Sequence, residues 1–310
     1  MTMTDPATTD RDALRPSRWA DFIGQDAMKA RLDVHIDAAA TSGRRMEHVL
    51  LTGPPGMGKT TLARLIAGRL GVPLFATTKP LTFDQLLEAL WSFDGRPGVL
   101  FLDELHRFGK VCQEHLLSLV EDGVLDMGFG PEPFPHITII GATTEADRII
   151  PPLFDRFRAC VHPPFEPYTD RELATIVARM GRRVGVQFTP DTARRLGVAT
   201  GGVPRMAAQF VVAARDLTIN DPDGAVPDAD RILEFCRVTP EGLTEDHRAY
   251  LSALYQLGGT AGLDQVSSRL RIPKAAAVNL ERLLVDRRMI SFTPRGRKLT
   301  VAGRANVKES

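Results

Sequence analysis

The sequence predicts an α/β core on a parallel sheet, followed by a small all-helical bundle and a C-terminal winged helix. Three observations carry this. Short apolar runs alternate with helical periods over the first half of the chain, the pattern of a parallel sheet covered on both faces. From Asp170 to about Gly224 the pattern is helical throughout, with stops at Gly185, at Gly201-Gly202 and at Gly224. After Pro240 the order is helix, break, helix, helix and hairpin, which is that of a winged helix.

Taken in order, residues 1 to about 13 are polar and rich in Thr and Asp, the composition of a disordered lead-in. A helix is expected over Asp26–Ser42, with Met28, Leu32, Ile36 and Ala39 at helical spacing and Gly43 as its stop. The apolar run from His48 to Thr52 reads as a buried strand, Gly53 to Lys59 as a turn, and Thr60 to Leu70 as a helix stopped by Gly71. Val99 to Asp103 and His136 to Ala142 read as further strands, with a helix from Lys110 to Asp122 between them. Beyond the bundle, helices are expected over Asp228–Val238, Glu245–Leu257, Leu263–Leu270 and from Pro273 to about Arg288. Strand-like flanks then surround Thr293-Pro-Arg-Gly-Arg297. The expected division is 14–168, 169–239 and 240–310.

Composition narrows the function. The 310 residues, 43% hydrophobic and 25% charged, fit a globular chain of two or three domains and exclude wholesale disorder or a fibrous repeat. Lys plus Arg (39) nearly balances Asp plus Glu (38), so no strong overall field draws the molecule to nucleic acid or to acidic membranes. The balance is uneven: from Arg271 onward ten basic residues face only Glu281, Asp286 and Glu309. Cys112, Cys160 and Cys236 have no paired spacing, which argues against a disulfide framework or a zinc site. The polar start lacks a signal-peptide pattern and no apolar run is long enough to span a bilayer, so a cytoplasmic location is expected.

Gly53-Pro-Pro-Gly-Met-Gly-Lys-Thr60 spells G-x-x-x-x-G-K-[ST] between an expected strand and an expected helix. Each part has a task. Along Gly53, Pro54, Pro55, Gly56, Met57, Gly58, Lys59, Thr60 and Thr61, the backbone N–H groups of the non-proline residues can close around β- and γ-phosphates. Lys59 neutralises phosphate charge and the Thr60 hydroxyl can hold Mg²⁺. Downstream, a strand ends in Asp103-Glu104, where a metal-holding carboxylate and a water-activating one are needed, and the roles go to Asp103 and Glu104 in that order. An isolated His106 beside them reads as a structural hydrogen bonder and is left out of the catalytic set.

Gly53 to Thr61, Leu102-Asp-Glu-Leu-His-Arg107 and Ile140-Gly-Ala-Thr-Thr144 together resemble an AAA+ P-loop ATPase and, within that superfamily, the RuvB family of Holliday junction branch-migration motors. Leu14-Arg-Pro16, Asp21-Phe-Ile-Gly-Gln25, Asp155-Arg-Phe157, Phe165-Glu-Pro-Tyr168, Val203-Pro-Arg205 and Phe292 to Arg297 extend the likeness from about residue 14 to 300. The resemblance implies an ATPase core with a helical lid and a winged-helix DNA-binding domain. It also implies a ring, expected to be hexameric, serving DNA recombination and repair. By position, Thr143 is similar to the polar sensor of the γ-phosphate, with Thr144 as the alternative. Arg156 matches the arginine finger that reaches a neighbour's ATP. Pro204 and Arg205 match the lid sensor, and Ile23 and Tyr168 resemble residues lining the adenine pocket. Read alone, Arg156 could be one half of a surface ion pair, and Tyr168 could be core packing.

Arg295, Arg297 and Lys298 in the hairpin are the expected contacts to duplex or four-way junction DNA. Lys274, Arg282, Arg287 and Arg288 read equally as a solvated helix face, and a winged helix can also dock a protein. Phe154 and Arg158 depart from the family pattern. The 123–136 segment is shorter than the family's hairpin that docks on RuvA and is interrupted by prolines, which argues against a RuvA-type partner. A loader or remodelling ATPase acting on another protein at DNA is the rival reading, and an inactive ATP-binding subunit a weaker third.

Overall fold

The computed structural model describes residues 13–128, 130–159 and 165–307. The expected lead-in up to residue 12, Cys160, Lys308 and the side chain of Arg158 lie outside the described residues. Arg15–Tyr168 packs as one compact unit and the residues from Thr169 onward as another, which also takes in Leu14.

In chain order the first unit runs α1 (Asp26–Ser42), β1 (Val49–Thr52), α2 (Lys59–Leu70), β2 (Leu74–Thr77), α3 (Phe83–Trp91), β3 (Gly98–Leu102) and α4 (Lys110–Glu121). It continues with β4 (Val124–Asp126), β5 (Pro131–Pro133), β6 (Ile137–Thr143) and α5 (Pro151–Ala159). Four strands pair in parallel in the order β1-β6-β3-β2. β3 and β6 are buried at every residue, which is why they read as predominantly apolar runs, with the buried Thr138 hydroxyl of β6 bonded to the Met46 carbonyl. The register sets Thr52 beside Thr143 and Leu102 beside Gly141, so β1, β6 and β3 finish along one edge of the sheet. Ligands of open parallel sheets bind outside such carboxyl ends.

β2 and α3 are additions to the sequence reading. β2 is a four-residue edge strand with no fully buried position, and only Leu74-Phe75-Ala76 in it is apolar. α3 did carry a signal: Thr82 and Gln85 form a reciprocal capping box ahead of buried Leu86, Leu87 and Leu90. The 123–136 segment is short and carries three prolines. Despite its prolines it forms an antiparallel hairpin, β4 against β5. Met127 N–H donates to the Gly130 carbonyl and Phe134 N–H to the Gly123 carbonyl. That alternation leaves Pro131 and Pro133 at the positions whose missing N–H would point away from the partner strand.

The second unit holds two separate cores. α6 (Asp170–Arg183), α7 (Pro190–Ala199), α8 (Pro204–Ile219) and α9 (Ala229–Phe235) enclose Val177, Leu196, Phe210 and Ile232 together with Leu14. Thr169, Thr189 and Asp228 cap three of these helices with their side-chain oxygens, each contributing about 1 kcal/mol. α10 (Glu245–Gln256), β7 (Thr260–Ala261), α11 (Leu263–Leu270), α12 (Lys274–Asp286), β8 (Ile290–Thr293), β9 (Gly296–Leu299) and α13 (Val301–Ala305) form the winged helix around Tyr250, Leu254, Leu284 and Leu299. The wing is a three-stranded sheet in the order β7-β9-β8. Gly296 has φ of 115°, and a Cβ there would lie 2.3 Å from the Ala261 carbonyl oxygen, so the β8–β9 turn needs glycine. No helix among the described residues is long and apolar enough to cross a membrane.

Candidate active site

The loop from Gly53 to Gly58 leaves β1 and opens α2 at Lys59. Gly58, with φ of 105°, is the residue before the helix, and a Cβ added there would meet the Phe22 ring at 3.3 Å. Glycine is thus needed both for the turn and for the close approach of Phe22. The Lys59 side chain turns back along the loop, its residue only 5% exposed, and Nζ donates to the carbonyls of Gly53 at 2.8 Å and Pro54 at 2.9 Å. An ammonium on two neutral carbonyls can transfer to an anion, which binds it more strongly.

The loop meets the acidic pair after β3 directly. Thr60 Oγ1 donates to Asp103 Oδ2 at 2.9 Å, and the other Asp103 oxygen accepts the Glu104 backbone N–H at 3.1 Å. Glu104 sits in the left-handed region, φ 53° and ψ 48°, a conformation that costs a non-glycine residue about 1–3 kcal/mol. Its Oε2 accepts a bond from Thr144 Oγ1 at 3.0 Å and lies 3.3 Å from His106 Nδ1.

Thr143 and Thr144 point to different places. Thr143 is fully buried; its Oγ1 accepts the Glu145 N–H at 3.0 Å and lies 3.0 Å from His106 Nδ1. Of the two hydroxyls, that of Thr144 reaches the acidic pair and that of Thr143 reaches His106, because adjacent side chains at a strand end face opposite ways. His106, read in the sequence as a structural hydrogen bonder, stands between both, 3.0 Å from Thr143 Oγ1 and 3.3 Å from Glu104 Oε2.

Around the loop, Gln25 exchanges two hydrogen bonds of 2.8 Å with the Glu166 backbone, and Phe165 N–H donates to the Thr52 carbonyl at 3.0 Å. Tyr168 is buried, and its hydroxyl donates to the Met57 carbonyl at 3.1 Å. This bond buttresses the loop. Ile23 and Thr61 are half-buried and Pro55 is exposed. In the second unit, Pro204 and Arg205 open α8, with Arg205 exposed.

Two arginines expected to reach other molecules have partners within the chain. Arg156, on α5 and with its side chain 51% exposed, pairs with Glu121 at the end of α4. Arg297 on β9 binds Glu281 of α12 with both prongs, Nε at 2.7 Å and Nη2 at 3.2 Å, and its guanidinium lies 5.3 Å from the Phe292 ring centre. Tyr250 donates to the same carboxylate at 2.6 Å. Burial, and then Glu281, push the Tyr250 phenol above its usual range, while the bond to Glu281 raises Arg297. Arg297 thus serves Glu281 as an internal counter-ion. A carboxylate only 4% exposed requires a cation, and the planar guanidinium fits it bidentately. Arg295 and Lys298 remain exposed on the wing. Of the cations on α12 and just after it, Lys274 pairs with Asp264 at 2.7 Å and Arg287 donates to the Val198 carbonyl at 2.9 Å.

Comparison with known proteins adds to this geometry. Residues 14–162 match the family described as the Holliday junction DNA helicase RuvB P-loop domain, and residues 240–308 match the RuvB C-terminal winged helix domain. The solved structure of the Thermotoga maritima RuvB Holliday junction branch migration motor is 30% identical, covering 96% of this chain and 100% of that one with a TM-score of 0.82. A single-residue variant of the same Thermotoga maritima protein is 31% identical over 96% of this chain and 99% of that one, with a TM-score of 0.83.

Proposed function

This chain belongs to the RuvB family, and from that premise we propose that it is an ATP-dependent DNA motor driving Holliday junction branch migration as a ring, hexameric when working. The observation that supports the reading best is the Thr60–Asp103 hydrogen bond, which brings the phosphate loop onto the acidic pair at the edge where three parallel strands end.

In this reading the backbone N–H groups of the loop and the start of α2 bind the triphosphate, and Lys59 exchanges its two loop carbonyls for phosphate oxygens. Thr60 and Asp103 would hold Mg²⁺, an ion that takes one or two protein oxygens and completes its shell with phosphates and water. When bound, it offsets charge on the phosphate oxygens. Glu104 accepts a proton from the attacking water, and Thr144 orients that carboxylate. Arg156 leaves Glu121 to meet the ATP of the adjacent subunit. Ile23 borders the base, Tyr168 supports the loop from below, and Pro204 and Arg205 keep the lid-sensor role by resemblance alone. The parts are an ATPase core over 14–168, a lid over 169–239 and a DNA-binding winged helix over 240–310, with Arg295 and Lys298 on the phosphate backbone. The short β4–β5 hairpin supports action without a RuvA-type protein docked on it, in a cytoplasmic setting.

The test is a labelled four-way junction incubated with the protein, ATP and Mg²⁺, with and without a RuvA-type protein. Conversion to duplex arms is expected, and Lys59→Ala should abolish it. Binding without conversion in both arms of the experiment would instead mark a loader or remodelling ATPase.

A further inference from the structure

His106 lies on a single 3-10 turn, Leu105–Arg107, that follows the acidic pair, and its side chain is only 6% exposed. Both ring nitrogens face functional groups rather than core. Nδ1 is 3.0 Å from Thr143 Oγ1 and 3.3 Å from Glu104 Oε2, while Nε2 is 3.4 Å from Glu145 Oε1. Glu145 is itself held by Arg148 at 3.1 Å. The imidazole therefore bridges the end of β3, where the acidic pair begins, to the end of β6.

The contacts on Glu104 are one-sided. Thr144 Oγ1 and His106 Nδ1 both address Oε2, and Oε1 has no partner among the described residues. The Thr144 hydrogen bond and the His106 ring 3.3 Å away approach that oxygen from different strand ends, which limits the swing of the carboxylate about its terminal bond. A buried histidine with a purely structural role needs only donors and acceptors of any kind. This one has a carboxylate at each nitrogen, and one of the two belongs to the residue assigned to the water.

We propose that His106 is a positioning residue for ATP hydrolysis: it pins one oxygen of Glu104 so that the other faces the attacking water. The inference rests on reading Glu104 as the proton acceptor. In the step concerned, the water oxygen bonds to the γ-phosphorus, the bond to the bridging oxygen breaks and ADP leaves, and the water proton passes to Glu104 Oε1. Displacing a positioned group by about 1 Å can cost about 100-fold in rate.

Steady-state ATPase kinetics and ADP affinity, measured on full-length His106→Leu, His106→Asn, Glu104→Gln and the Glu104→Gln, His106→Leu double variant, test this. The amide nitrogen of asparagine reaches the place of Nδ1. The expectation is an approximately 100-fold lower kcat for His106→Leu with KM and ADP affinity held within about twofold, and recovery to within about tenfold of wild type in His106→Asn. Adding His106→Leu to Glu104→Gln should cost nothing further, because the group being positioned is already disabled. Wild-type kcat in His106→Leu, equal damage in His106→Asn, or a fully additive double variant would overturn the proposal. If His106→Leu fails to fold, His106→Gln, whose amide reaches only the place of Nε2, replaces it with the same expected loss. Full turnover in Glu104→Gln would show separately that the role of the carboxylate, and not the positioning alone, had been misassigned.

Discussion

Arg156 and Arg297 each face a glutamate, and the two pairs differ in what surrounds them. Arg156 and Glu121 meet on the outside of the ATPase unit, with side chains 51% and 37% exposed. Arg297 and Glu281 meet inside the winged helix, where Tyr250 adds a third hydrogen bond to the carboxylate. A surface pair contributes about 0–1 kcal/mol, so its arginine can exchange partners at little cost. A buried pair broken on one side leaves a stranded charge and costs about 3–5 kcal/mol. The environment of the partner therefore decides which arginine is available to another molecule, and the two should respond oppositely to truncation.

The largest effect expected is on turnover. Arg156→Ala should lower ATP hydrolysis by about 10³-fold or more, the range of an arginine finger, while its unfolding free energy changes by no more than about 1 kcal/mol. Calorimetry beside an ATPase assay reads both, and a large stability loss with ordinary turnover would reverse the comparison. Arg297→Ala should do the converse, destabilising the winged helix by about 3 kcal/mol while ATP affinity is unchanged. Denaturant unfolding measures it; Glu281→Gln added to Arg297→Ala should recover part of the loss by removing the stranded charge. The smallest effect belongs to the exposed wing cations. Arg295→Ala and Lys298→Ala should each reduce the salt slope of duplex binding by about 0.9 with stability within about 0.5 kcal/mol, whereas folded Arg297→Ala should leave that slope unaltered.

How far the sequence could be read follows from the kind of signal each feature leaves. The phosphate loop was legible because its glycines, Lys59 and Thr60 answer to local backbone geometry. Asp103-Glu104 was legible because it ends an apolar strand. Which of Thr143 and Thr144 faces Glu104 was not, since the phase of a strand end is set by register against β1 and β3. His106 was legible only as a hydrogen bonder beside the acidic pair, because two of its partners, Thr143 and Glu145, are distant in sequence. For Arg297 a signal did exist. Ala277, Glu281 and Leu284 fall at helical spacing on the buried face of α12, so a carboxylate was placed in an apolar stripe and required an internal cation. Counting charge along the tail could not separate that cation from its neighbours. The β4–β5 hairpin was missed for a related reason: the prolines count against a strand until their alternation is set against the partner's hydrogen bonds.

The central claim is that ATP held by Lys59 of one subunit is hydrolysed with help from Arg156 of the next. Lys59→Ala and Arg156→Ala proteins, each inactive alone, should be mixed and assayed for ATP hydrolysis across a range of ratios. Partial recovery, greatest near equal proportions, is the predicted result, because each mixed interface joins an intact Lys59 to an intact Arg156. A mixture no more active than its components would contradict the account.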